Sequence, residues 1–311
     1  MPNARGLHVE PVPKIGGIAV FASVWMLAGI WMQRDIVAGI AALSVVLLAI
    51  SLLDDVRPIS ALLRLLVHAA AAILVVLLWL KNFGVAPDNP STLISWLLSP
   101  TGAVAVALVI VWMTNLYNFM DGADGLAGGM SLIGFGSYSA ALAMQPDYGG
   151  SLGLLVATVS GATGGFLLFN FPPAKVFMGD AGAIPLGFLA ATLGIHGNLL
   201  GLWPWWFGLL IFSPFIVDAT TTLLRRTWGR HKPWIAHRDN YYQRLILAGW
   251  GHRKTVFAYY GLMVAAAGSA LCATRSAFAP AVLLFWVITY AMLLTLLEWY
   301  LHEKEKQRIK E

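Results

Sequence analysis

Five short stretches of this 311-residue chain hold side chains suited to binding a cation, a phosphate or a nucleotide. The first is Leu52-Leu53-Asp54-Asp55-Val56-Arg57-Pro58. Adjacent carboxylates repel each other and call for a positive partner, which Arg57, Arg64 or a bound cation can supply. The second runs Asn115-Leu-Tyr-Asn118-Phe-Met-Asp121-Gly-Ala-Asp124-Gly125. Its polar residues recur every three positions, which places Asn115, Asn118, Asp121 and Asp124 near one face of a helix. Amides and carboxylates together can bind the base and ribose of a nucleotide or complete a hydrated Mg²⁺ shell. Gly122, Gly125, Gly128 and Gly129 would let a ligand approach the backbone closely.

The third stretch is Asn170-Phe-Pro-Pro-Ala-Lys-Val-Phe177-Met-Gly179-Asp180-Ala-Gly182. A Gly-Asp-x-Gly turn holds a carboxylate on a tightly bent backbone, which suits a metal ligand and also suits an Asx-turn. Phe177 can stack on a base or anchor the chain at the membrane interface. The fourth, residues 225–254, carries eight Lys/Arg against the single acid Asp239, with His231, His237 and His252. Arg and His there can neutralise phosphates, or simply orient the chain and meet lipid headgroups. No Cys or carboxylate pair completes a zinc site at ligand spacing. The fifth is Arg5, His8 and Lys14 ahead of Gly16-Gly17, placed either to meet a phosphate at the bilayer surface or to signal topology. Asp218 and His68 lie within apolar runs, where an ionisable group is either functional or half of a structural pair.

Composition identifies the elements that must position these groups. Apolar residues make up 59% of the chain and charged ones 11%, against roughly 25% charged in a soluble domain. The mean hydropathy is +0.73. The expected fold is therefore all-α, a polytopic membrane helix bundle forming one integral-membrane domain over 1–311, with 225–254 as a basic loop inside it. A spanning helix needs about 20 apolar residues, and backbone groups in lipid must bond internally. Ten stretches qualify, at 15–33, 36–53, 61–80, 101–118, 126–144, 151–169, 183–196, 203–224, 255–273 and 279–301. The stretch 183–196 is the shortest.

The net charge of +5 resides in short gaps between apolar runs. That pattern orients a protein in a bilayer and does not point to nucleic acid. With ten crossings, 17 basic residues fall on one side and three, Arg34, Lys81 and Arg275, on the other. Both termini are accordingly expected in the cytoplasm. The same threading puts Asp54, Asp55, Asp121, Asp124 and Asp180 on the cytoplasmic side, with only Asp35, Asp88 and Asp147 opposite. Clustered carboxylates at membrane helix ends imply a shared cation. Trp203, Trp205, Trp206, Trp299 and Tyr300 are expected as interfacial anchors, Gly161 and Gly165 as a helix-packing pair, and Cys272 as a buried thiol. Residues 1–17 are too polar for a cleavable signal peptide.

These motifs, in this order, resemble those of the polyprenyl-phosphate N-acetylhexosamine-1-phosphate transferases, which include the phospho-MurNAc-pentapeptide transferases. The resemblance rests on Pro2-Asn3-Ala-Arg5-Gly-Leu-His8, Pro13-Lys-Ile-Gly16-Gly17, Asp54-Asp55, 115–125 and 176–182. The segment His237-Arg-Asp-Asn-Tyr-Tyr-Gln243-Arg244 is most similar to the branch that initiates O-antigen. The resemblance implies that a polyprenyl phosphate attacks the β-phosphorus of a UDP-N-acetylhexosamine and releases UMP, with Mg²⁺, or Mn²⁺ in its place, required. It implies Asp180 as metal ligand with Asn118 as second donor, and Asp121, Asp124, Asn170 and Phe177 around the nucleotide. Asp54 and Asp55 would face the lipid phosphate, one of them as its base, and His237, Arg238 and Arg244 would hold the phosphates. It further implies a bacterial inner membrane, an active site on its cytoplasmic face, and downstream glycosyltransferases of a polysaccharide pathway as partners. Two features depart from the family. Its members ordinarily carry a helix before the Pro-Asn-Ala-Arg segment, and a further His where this chain has Asn240.

Two rival readings make different demands. A secondary transporter expects ionisable groups at the bilayer midplane and interrupted helices. A CDP-alcohol phosphotransferase expects Asp-Gly-x-x-Ala-Arg, whereas Asp121-Gly122 is followed by Ala-Asp-Gly-Leu. No Gly-x-x-x-x-Gly-Lys-Ser/Thr loop is present for a soluble nucleotide kinase.

Overall fold

The computed structural model describes residues 12–31, 35–83, 92–145, 150–229 and 238–310. Their regular structure is helical throughout: α1 (Gly16–Trp31), α2 (Ile36–Val56), α3 (Ala61–Phe83), α4 (Thr92–Leu97), α5 (Pro100–Met120), α6 (Leu126–Ala143), α7 (Gly150–Asn170), α8 (Asp180–Leu199), α9 (Trp206–Ile211), α10 (Ser213–Trp228), α11 (Tyr241–Leu245), α12 (Gly251–Ala273) and α13 (Ala279–Lys310). A π-helical turn, Ile246–Trp250, joins α11 to α12. Eight helical runs are long and apolar enough to cross a membrane, while the apolar part of α1 is shorter. The expected helical membrane bundle is what the chain forms.

Helix ends follow local chemistry. The Asp35 carboxylate accepts the Ala38 N–H at the start of α2, and Ser99 accepts the Gly102 N–H at the start of α5, with Pro100 in its first turn. Both satisfy amides that a helix cannot bond internally.

Two elements differ from expectation. The stretch 203–224 is two helices that meet at Phe212. Pro214 has no N–H to give the Leu210 carbonyl, and the Ser213 hydroxyl donates to that carbonyl instead, at 2.6 Å. The stretch 183–196 grows at both ends into the 20-residue α8, which begins on Asp180 itself. It is the centre of the bundle: 83% of its apolar window is buried, against 6% for α13. Helix α8 packs on α5, α2 and α1, α7 on α6 and α1, and α12 on α6 and α9.

Three smaller expectations are corrected. Trp203 and Trp206 are buried, while Trp205 and Trp299 are exposed as interfacial anchors should be. Trp203 instead stacks on Tyr138, with ring centroids 5.0 Å apart. A Cβ at Gly161 or Gly165 would touch nothing within 4 Å, so among the described residues no helix packs there. Cys272 is exposed on the bundle surface.

Candidate functional site

The site is built on a backbone clamp. Residues 13–17 lie along 177–178, with Phe177 N–H donating to Pro13 O (2.9 Å), Gly16 N–H to Phe177 O (3.0 Å) and Gly17 N–H to Met178 O (3.0 Å). The chains approach so closely that a Cβ on Gly17 would lie 2.3 Å from the Gly182 nitrogen. This clamp brings Lys14 against Gly179, whose φ of +71° starts α8 in a region that favours glycine. Asp180 follows as the first residue of α8, where the helix dipole favours a carboxylate.

Four of the five expected aspartates converge on that point. Asp54 and Asp180 are bridged by Arg64, whose Nη1 lies 2.8 Å from Asp54 Oδ2 and 3.6 Å from Asp180 Oδ2. Asp54 is further fixed by the Ile59 N–H, at 2.6 Å. Asp55 is within electrostatic reach of Asp180, Lys14 and Asp54. Asp121, the C-cap of α5, interacts with Asp180, with Lys14 and with the Gly179 N–H. Burial, then the charge of Asp180, pushes the Asp121 carboxyl well above its ordinary range, against the pull of the Gly179 N–H and Lys14. A divalent cation on Asp180 would reverse the sign of that neighbouring charge.

Asn118 reaches Asp180 directly, its Nδ2 at 3.4 Å from Oδ2; turning the amide would present Oδ1 to a cation held there. Among the described residues no three His, Cys, Asp or Glu side chains group at metal-holding distance. Asp180 and Asn118 are the oxygen donors that would hold a hard cation, and Mg²⁺ ordinarily keeps waters and substrate oxygens in the rest of its shell. Asn115, one turn before Asn118, donates to the Val111 carbonyl of its own helix and lies near the buried His68.

The remaining members of the second and third stretches build the frame. The helical face expected for 115–124 ends at Met120, so Asp121 caps α5 and Asp124 lies in the turn before α6. Asp124 is 3% exposed and accepts the Ala174 N–H at 3.0 Å. His252, at the start of α12, accepts the Asp124 N–H on Nδ1 (3.2 Å) and lies 3.4 Å from its carboxylate. Asn170, also buried, accepts the Gly125 N–H (2.8 Å) and donates to Val176 O (2.8 Å). It thus ties the second stretch to the third. The glycines of the second stretch make room for protein side chains: a Cβ on Gly122 would meet the Tyr242 hydroxyl at 2.2 Å, and one on Gly129 the Tyr260 ring at 2.1 Å. Phe177 is half-buried beside the clamp.

The basic stretch is anchored by Asp239, by Asp218 and by Glu298, the one of these acids that sequence reasoning left out. Glu298 of α13 accepts both terminal nitrogens of Arg244 (2.8 and 3.0 Å) and Nη1 of Arg225 (2.6 Å). Asp239 pairs with Arg226. Asp218 is a structural group, its carboxylate accepting the Tyr241 and Tyr242 N–H groups that open α11 and the Tyr259 hydroxyl. Asn240, where the family has a further His, is buried and caps α11 with Gln243 in a capping box. Arg238 is exposed. Arg5, His8, His231 and His237 lie outside the described residues. Arg64 meets Asp54, as one of the partners expected for that pair, whereas no spacing showed that it would also reach Asp180 or that His252 would meet Asp124.

The chain matches glycosyl transferase family 4 over residues 37–198, a span that holds Asp54 through Asp180 and stops before the basic stretch. It is 30% identical over 268 residues to a probable undecaprenyl-phosphate N-acetylglucosaminyl 1-phosphate transferase of Bacillus subtilis, covering 83% of this chain and 72% of that one. It is 31% identical to the decaprenyl-phosphate N-acetylglucosaminephosphotransferase of Mycolicibacterium smegmatis, with 83% and 71% covered. It is 33% identical to the phospho-N-acetylmuramoyl-pentapeptide-transferase of Picosynechococcus, with 83% and 73% covered.

Proposed function

Because the chain belongs to glycosyl transferase family 4, we propose that it transfers an N-acetylhexosamine-1-phosphate from a UDP-sugar to undecaprenyl or another polyprenyl phosphate. An acceptor phosphate oxygen attacks the donor's β-phosphorus, the bond from that phosphorus to the UMP oxygen breaks, and UMP leaves. The product is a polyprenyl-diphospho-sugar that would begin a lipid-linked surface polysaccharide such as O-antigen, for downstream glycosyltransferases to extend. The observation that supports this reading is the convergence of Lys14, Asp54, Asp55, Arg64, Asp121 and Asp180 at one end of a membrane bundle.

The obstacle to joining two phosphates is their mutual repulsion. Mg²⁺, held by Asp180 and Asn118, would neutralise the diphosphate at that point. Lys14 adds a second positive charge from the clamp, and Asp54 and Asp55 face the acceptor, one as its base. Asp121 borders the nucleotide, and Asn115, Asp124, Asn170 and Phe177 shape its surroundings. His8, His237 and Arg238 complete the phosphate-binding set in this reading, while Arg244, expected there too, is committed to Glu298. The prenyl tail stays in the bilayer and fixes the phosphate at headgroup depth, which turns an encounter into positioning. The site would face the cytoplasm from a bacterial inner membrane. A secondary transporter is the weaker reading, since the gathered charges sit at helix ends and buried Asp218 is committed to capping α11.

The test is incubation of purified protein with undecaprenyl phosphate, Mg²⁺ and a panel of UDP-N-acetylhexosamines, read as UMP release. Release with one donor establishes the transfer and names the sugar. Silence across the panel, with rarer donors and an N-terminally extended protein included, rejects it.

A further inference from the structure

Arg64 stands where the family reading needs a cation. Its guanidinium cannot lose its proton, and it lies between Asp54 and Asp180, 2.8 Å from one and 3.6 Å from the other. Both anchors are fixed by the chain: Asp54 by the Ile59 N–H and Asp180 by its place at the head of α8. One turn along α3, His68 is buried near Asn115.

We propose that Arg64 is a positioning residue that acts as a built-in counter-cation for Asp180, competing with the divalent ion and making its tight binding depend on the donor's diphosphate. This rests on the reading of Asp180 as the metal's carboxylate. Without a donor, a divalent ion on Asp180 meets a fixed positive charge a few ångströms away, and the repulsion weakens it. A bound diphosphate brings negative charge that offsets the guanidinium, so metal and donor strengthen each other. Linkage requires the effect to be mutual: the donor must also bind more tightly with metal present. The arrangement keeps the aspartates neutralised between turnovers and withholds the metal from a site with no substrate to act on.

The experiment measures Mn²⁺ binding to the purified full chain by electron paramagnetic resonance of free Mn²⁺, with and without UDP. Arg64→Gln and Arg64→Met both remove the charge, so a folding failure of one leaves the other; Arg64→Lys keeps it. Without UDP, the neutral variants are expected to bind Mn²⁺ about tenfold more tightly than wild type. Arg64→Lys stays near wild type, and UDP narrows the gap by strengthening wild type most. Tighter metal binding is a result that mere loss of a structural contact would not give. Equal or weaker Mn²⁺ binding in the neutral variants, with binding abolished by Asp180→Asn, overturns the role of Arg64 and leaves the metal reading intact. Absence of Mn²⁺ binding in every protein, with or without UDP, overturns both.

Discussion

At the scale of single residues the site divides into groups left partly exposed at the helix ends and groups turned inward to hold the frame. Asp180 is of the first kind, its side chain 30% exposed and met by the side chains of Arg64 and Asn118. Asp180→Asn keeps the shape and removes the charge. It is expected to lower Mg²⁺-dependent UMP release by about 10²-fold or more, the scale of losing an electrostatic anchor for a transferring phosphoryl group. Its melting temperature should remain near that of wild type, and wild-type turnover in this variant would defeat the assignment. Asn170 is of the second kind. It is buried and joins Gly125 to Val176, so Asn170→Ala leaves a buried N–H and a buried C=O without partners. The cost is about 1–3 kcal/mol for each group, to be seen as a lowered melting temperature alongside lost turnover. A stable but inactive Asn170→Ala would instead make Asn170 a substrate contact.

At the scale of elements the decisive feature is the clamp between 13–17 and 177–178. Gly17→Ala places a methyl 2.3 Å from the Gly182 nitrogen and 2.8 Å from the Met178 carbonyl, both main-chain atoms that no side-chain rotation can move. The clamp should open and carry Lys14 away from Asp55 and Asp121, with turnover falling far more than expression in the membrane. Gly161→Ala is the matching control. Nothing lies within 4 Å of it, and alanine favours a helix over glycine by roughly 1 kcal/mol. Its activity should equal wild type and its stability should not fall. The contrast shows how much was legible. Helices, motif order and the shared end of the aspartates follow from local pattern, because apolar runs and motif residues are local properties. The pairings of Arg244 with Glu298 and of Asp124 with His252 cross 54 and 128 residues. No spacing rule reaches that far, and Asp218, Asn170 and Asn240 share their residue types with substrate ligands while serving as buried braces.

At the scale of the whole molecule, contacts between helix ends fix the threading without any appeal to charge. Lys14 before α1, Asp55 near the end of α2, Arg64 in α3, Asp121 after α5 and Asp180 at the start of α8 are neighbours. Asn170 at the end of α7 and His252 at the start of α12 meet the turn before α6, and Glu298 of α13 meets Arg225 near the end of α10. Opposite these, Arg275 after α12 and Leu202 after α8 both meet the turn after α6 at Met144 and Gln145. The broken pair α9 and α10 must therefore cross once together, since it begins near Leu202 and ends near Glu298. Residues 12–15 and the end of α13 then lie on the same side as the site. The sequence threading assigns 17 of the 20 basic residues to that side, and such an excess predicts the cytoplasm. A tag at either end of this chain should be protected from protease added to intact spheroplasts and cleaved once they are lysed. Cleavage of either tag before lysis would break the link between the gathered helix ends and the cytoplasm, and would put the aspartate cluster out of reach of a cytoplasmic nucleotide sugar.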